Sequence, residues 1–189
     1  MRTEKPFLFP VAVTVLMVLL FASRAAGQEV ILRNIIVNND HGEVHLRFGL
    51  RTRDADKLAQ YLKQGTNLRL VCTAAMDLER NLWWDRELRR SSKNSLLHYD
   101  SLNDEYRLHK GKNGSGERNS DLSSLLQSGW GQIDMYLGPW PDEYKEENLA
   151  LHLSVRLIRA DVPVWLKRTL FFWSWNVVPV RNYRIRFGS

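Results

Sequence analysis

From Leu149 to Leu157 every second residue is a large aliphatic (Leu149, Leu151, Leu153, Val155, Leu157), and His152, Ser154 and Arg156 occupy alternate positions. A period of two suits a strand with one buried face and one wet face; an amphipathic helix needs 3.6. The pattern recurs along the chain. Val44, Leu46, Phe48 and Leu50 alternate with Glu43, His45, Arg47 and Gly49, and Leu68, Leu70, Cys72, Ala74, Met76 and Leu78 alternate with Arg69, Thr73 and Asp77. Near the C-terminus Tyr183, Ile185 and Phe187 alternate with Arg184 and Arg186. Val30 to Val37 precedes turn residues at 38–42, a Leu96 to Tyr99 strand meets Tyr106 and Leu108 across the turn at 101–104, and Ile133, Met135 and Leu137 mark a short strand.

Two segments carry helical spacing instead. In Asp54 to Gln64, Leu58, Tyr61 and Leu62 fall at i, i+3 and i+4, with Asp54 as cap and Gly65 as stop; in Ser120 to Ser128, Leu122, Leu125 and Leu126 do the same, with Ser120 as cap and Gly129 as stop. The polar glycine-rich stretch at 111–118 reads as a loop. About eight short strands and two brief helices predict a mainly β chain: an antiparallel two-layer β-sandwich with two short helices. The alternative is an α+β arrangement, one curved antiparallel sheet with the helices packed on it.

The N-terminus stands apart from this pattern. Arg2 and Lys5 precede an uncharged, largely aliphatic run from Phe7 to Ala22, and Ala25 and Gly27 are small residues two apart, the order of an export signal cleaved after Gly27, or after Ala25. Residues 1–27 are therefore expected to be a signal peptide and 28–189 a single β-rich domain in the periplasm or on the outer side of the cytoplasmic membrane. An uncleaved signal anchor is the competing reading. As a helix the run would reach only about 24 Å, against a hydrocarbon core of about 30 Å. No Cys lies near its end, so a lipoprotein anchor is not expected.

Loss of Arg2, Lys5, Arg24 and Glu4 lowers the net charge from +6 to +4. That charge is too mild for a nucleic-acid footprint, and no nucleic-acid partner is expected. Outward Arg47, Arg69, Arg107, Arg156, Arg184 and Arg186 could still form a basic face for an anionic polymer or headgroup, or be ordinary surface and cross-strand partners. The lone Cys72 has no partner for an intramolecular disulfide, and its place in an apolar alternation puts it in the core.

No recognised catalytic signature is present. His98 and Asp100 share a strand face, the only candidate dyad for an envelope hydrolase. His41, His45, His109 and His152 lack metal-ligand spacing, and neither a phosphate-cradling loop nor a nucleophile elbow is found, so no cofactor or metal is expected. The unusual feature is tryptophan: Trp83 and Trp84, Trp130 and Trp140, then Trp165, Trp173 and Trp175. The last three belong to an apolar block, 162–175, broken only by Lys167-Arg168 and Ser174, with Thr169 between. Its aromatics either cover an open end of the sandwich or form an interfacial surface of Trp165, Lys167, Arg168, Phe171, Phe172, Trp173 and Trp175, with the two basic residues on lipid phosphates.

The leader, the helix with Leu58 to Gly65, Trp83-Trp84-Asp85, the hairpin from Leu97-His98-Tyr99 to Tyr106-Arg107-Leu108 and the closing Trp-rich block follow in an order that resembles Domain of Unknown Function 4390, a bacterial family. The polar stretch at 111–118 and the Phe171-Phe172-Trp173-Ser174-Trp175 wording mark a subgroup. The resemblance implies an exported protein, often encoded beside a membrane sensor histidine kinase, and brings no catalytic residues. The expected role is a non-enzymatic binding or accessory module for a membrane protein or lipid surface. The alternatives are a hydrolase using His98 and Asp100, and a lipid-binding sandwich with a deep apolar cavity between its sheets.

Overall fold

A computed structural model of the chain describes residues 30–80, 85–111, 116–144, 148–160 and 176–187, with backbone alone for 176–181. Nine strands form two antiparallel sheets: β1 (Val30–Asp40), β2 (Glu43–Thr52) and β7 (Ile133–Pro139) in the order β1-β2-β7, and β3 (Leu68–Leu78), β4 (Arg86–Asp100), β5 (Glu105–Lys110), β6 (Gly116–Asn119), β8 (Leu149–Arg159) and β9 (Asn176–Phe187) in the order β6-β5-β4-β3-β8-β9. Two helices complete it, α1 (Ala55–Lys63) and α2 (Leu122–Trp130). This is the sandwich with short helices.

The core lies where the alternations face one another. Leu70, Cys72, Ala74 and Met76 on β3 oppose Leu157, Val155, Leu153 and Leu151 on β8, and all eight are buried. Val44, Leu46, Phe48 and Leu50 on β2 face them as part of one cluster. At about 25 cal/mol per Å² of apolar surface removed from water, this continuous buried face is the main driving force for the fold. Cys72 is within it, and burial pushes its thiol up to about 12.

The small sheet covers only part of the large one. The helices complete the second layer: α2 packs on β2, β5 and β6, and α1 touches α2 and β4. Asp54 caps α1 by accepting from the Lys57 amide, and Gly65 follows its end at φ +84°, a conformation that favours glycine.

Some local readings need correction. β4 starts at Arg86 instead of Leu96, and β6 takes up the last three residues of the expected 111–118 loop and Asn119. The cap of α2 is Asp121, whose carboxylate accepts from the Ser123 and Ser124 amides; Ser120 lies one residue too early. Gly129 is inside that helix, which ends at Trp130 with Gly131 as its C-cap. A Cβ at Gly129 would overlap the Leu108 side chain, so close packing is the reason for glycine there.

The two sheets share a polarity. Ile133 lies by Ser95 in one cleft, while Gly138 at the far end of β7 lies by Arg89. Because Phe48 pairs with Ile133 and Glu43 with Pro139, the Thr52 end of the small sheet lies over the Leu68 end of the large one. Val30 pairs with Thr52, Leu68 with Arg159 and Ile158 with Asn176. The strand ends at 30, 159 and 176 therefore lie at one pole, with the exposed 101–104 turn; the Asp40–Glu43 turn and Trp140, packed on Phe187, lie at the other.

Candidate functional site

Two clefts open along the seam between the strand half and the helix half of the second layer. Trp130, the last residue of α2, sits in this seam, 2 % exposed, and its indole N–H donates to Ser95 Oγ at 2.8 Å. Ser95 is the only buried polar residue of the described core, so this bond satisfies two groups whose separate burial would be costly. Trp130 also lines both clefts that open from the seam.

The first cleft, of about 780 Å³, lies at the open edge of β2. β7 pairs with β2 only as far as Phe48, which leaves residues 49–53 unpaired on that side. Arg33, Arg51 and Arg53 line the cleft with Asn34, Gln127 and a single carboxylate, Asp56. Arg33 pairs with Gly49 and Ile31 with Arg51, which puts both arginines on the outer side of the sheet. A β-bulge follows Arg33, with Asn34 at φ +51°, a value that asparagine tolerates better than most residues.

The second cleft, of about 570 Å³, runs between β4 and the start of β7. Leu70, Cys72, Trp130 and Ile133 form its apolar part, and Lys93, Lys110 and Asp134 its polar part. Lys110 is bound to Glu117 at 2.6 Å, which holds that carboxyl below its ordinary value. Lys93 pairs in register with Cys72, so it points to the core side of the large sheet where the second layer has stopped. Both clefts are open, and the described core between the sheets is filled by side chains.

The outward arginines are for the most part neutralised. Arg47 meets Asp134, Arg107 meets Asp100 at 2.6 Å, and Arg184 and Arg186 both meet Glu79. Four of the six residues expected on a basic face are thus cross-strand or turn partners of carboxylates. Exposed pairs of this kind contribute little each, about 0–1 kcal/mol, but they remove the single-sign field. Arg69 and Arg156 remain on the open side of the large sheet.

His98 and Asp100 share a face but are not hydrogen-bonded to one another. Asp100 accepts from the Asn103 side chain and the Leu102 amide and pairs with Arg107, contacts that hold its carboxyl below the usual range. The His98 ring stacks on His109 at 5.3 Å, nearly parallel. Burial, then the neighbouring His109 and Arg107, lower its pKa, so it is neutral at pH 7. Among the described residues no group of His, Cys, Asp and Glu is arranged to hold a metal ion.

All seven residues of the expected interaction surface, Trp165, Lys167, Arg168, Phe171, Phe172, Trp173 and Trp175, lie outside the described residues, as do Trp83, Trp84 and the leader. What is described is where the flanks of 161–175 stand: Ala160, whose amide donates to Asn67 O at 2.8 Å, and Asn176, opposite Ile158, leave neighbouring antiparallel strands at the same pole as Val30. Sequence reasoning did not find the arginine cleft, because only strand register and the bulge after Arg33 bring 33, 51 and 53 together.

The model of the family described as Domain of unknown function (DUF4390) matches residues 27–186. No curated protein and no solved structure matches the chain.

Proposed function

As the chain belongs to the DUF4390 family, we propose that it is a non-enzymatic exported binding module that works against the outer side of the cytoplasmic membrane, accessory to a membrane protein such as a sensor histidine kinase. The observation that carries this reading is the shared pole. The described chain begins at Val30, and Ala160 and Asn176, the residues that flank the aromatic-basic block in sequence, stand at that same end. Aromatic side chains at headgroup depth with adjacent Lys and Arg on phosphates make up an interfacial anchor, and a leader retained as a signal anchor would reinforce it. No described helix is long and apolar enough to cross a membrane.

The hydrolase reading has less to support it. A general base needs an orienting acid, and Asp100 is occupied by Arg107 and its own turn.

The test is co-sedimentation of residues 28–189 with phosphatidylcholine–phosphatidylglycerol vesicles. Wild type is expected to pellet and Trp173→Ala/Trp175→Ala to remain largely in the supernatant; equal pelleting of the two would contradict the anchor.

A further inference from the structure

From the cleft beside β2 we infer a binding site for a phosphodiester anion, namely the headgroup of an anionic phospholipid, held by the guanidinium groups of Arg33 and Arg51. The inference rests on the membrane-facing reading of that pole and adds a ligand class to it.

Sheet register makes Arg33 and Arg51 diagonal neighbours on one face, about 7–8 Å apart at Cβ in ordinary sheet geometry. Like charges so placed repel, and neither arginine is ion-paired among the described residues, in contrast to Arg47 two residues before Gly49 on the same side. Gly49 lies between them, and the Gly131 carbonyl oxygen takes the space that a side chain there would fill, so the pair meets across a position with no side chain of its own. Arg33 and Arg51 face a single carboxylate in the lining, Asp56, so the pair outweighs the negative charge beside it.

Guanidinium offers two parallel N–H donors, the geometry that a phosphate's oxygens accept. Asn34 and Gln127, which also line the cleft, supply amide groups for headgroup hydroxyls. A volume of about 780 Å³ is in the range of small-molecule sites and ample for a phosphoglycerol. Thr52 and Val30 stand at the same pole, so a headgroup could enter from the surface that the leader and the aromatic block would face.

The experiment compares the full chain on pure phosphatidylcholine vesicles with the full chain on equal parts phosphatidylcholine and phosphatidylglycerol. Four proteins are used: wild type, Arg33→Gln/Arg51→Gln, Arg33→Lys/Arg51→Lys, and Arg69→Gln/Arg156→Gln. The last removes another diagonal arginine pair, on the open face of the large sheet. Wild type should prefer the anionic vesicles, and the cleft glutamine variant should bind them roughly 10- to 30-fold more weakly. The lysine variant should fall between, because it keeps the charge and loses the paired donors. The Arg69/Arg156 variant should stay near wild type.

Equal losses in the two glutamine variants would mean general surface charge and overturn the site. So would an undiminished preference in the cleft variant, or a lysine variant equal to wild type. Wild type that binds both vesicles equally overturns the headgroup site and leaves the membrane reading standing, whereas no pelleting with either vesicle removes the membrane reading itself. Calorimetric binding of inorganic phosphate, lost in the cleft variant while vesicle preference is unchanged, would assign the cleft to a soluble phosphate and overturn the lipid assignment.

Discussion

Trp130→Ala is expected to lower the unfolding free energy by about 3–5 kcal/mol, the range for truncating a fully buried aromatic. For a chain of this size that corresponds to a fall in Tm of roughly 6–20 °C. Three losses combine. The indole leaves a cavity at the junction of β2, β4 and α2, its burial free energy is forfeited, and the Ser95 hydroxyl, 8 % exposed, loses its donor. Trp130→Phe separates the terms, since it retains most of the volume and removes only the N–H, with an expected cost of about 1–3 kcal/mol. Thermal melting of the two variants checks both numbers. A Trp130→Ala loss under about 1 kcal/mol would mean that the indole is not the wedge between the strand and helix halves.

Gly49→Ala is the second large effect, and it acts on the same seam from the other side. A Cβ at 49 would overlap the Gly131 carbonyl oxygen, a backbone atom that no rotamer change can move away. Gly49 has an ordinary negative-φ strand conformation, so alanine would otherwise gain about 0.4–1 kcal/mol by restricting the unfolded chain. Overpacking of a tight site costs about 1–3 kcal/mol, occasionally more, and the overlap with a backbone carbonyl places this substitution at the upper end. A net loss of about 2 kcal/mol is expected in denaturant unfolding. The two substitutions should also be coupled. In a Trp130→Ala background the 130–131 segment can retreat, so Gly49→Ala should cost less there by at least about 0.5 kcal/mol, whereas additivity would place the two residues in independent sites.

The parts of the fold that sequence reveals are those where one face is buried along a whole strand. Leu68 to Leu78 and Leu149 to Leu157 lie under the second layer for their full length, and their alternation is correspondingly clean. β4 hides its first ten residues because the small sheet stops at β7. Arg89, Ser91 and Lys93 occupy the core-side positions opposite Met76, Ala74 and Cys72, yet they stand at the rim of the cover, so selection for apolar residues there is absent. β6 takes three of its four residues, 116–118, from the expected polar loop, and it is a strand because it pairs with β5 and lies against α2. The cap of α2 is displaced by one because Asp121, not Ser120, stands where a side-chain oxygen reaches the first amides.

The candidate site was less legible than the fold. Trp130 was visible as one of seven tryptophans, but nothing local tells that it ends a helix in the seam between two half-layers. Arg33 is far in sequence from Arg51, and a one-residue slip of β1 on β2 would send it to the opposite face. The candidate dyad shows the reverse. His98 and Asp100 are placed on one face by alternation, and tertiary partners, His109 and Arg107, divert both.

One measurement bears most directly on the membrane-facing pole. Cys72 is buried with its thiol pushed up to about 12, so a maleimide fluorophore will label an introduced surface cysteine in preference to it. Leu102→Cys puts the dye on the turn at the Val30 pole, at a residue 95 % exposed, and Asp40→Cys puts it at the opposite pole, where the native side chain is 76 % exposed. With the full chain on phosphatidylcholine–phosphatidylglycerol vesicles that carry a headgroup-linked acceptor, the account predicts strong energy transfer from position 102 and weak transfer from position 40. Equal transfer from both positions, or the stronger signal from position 40, would contradict it.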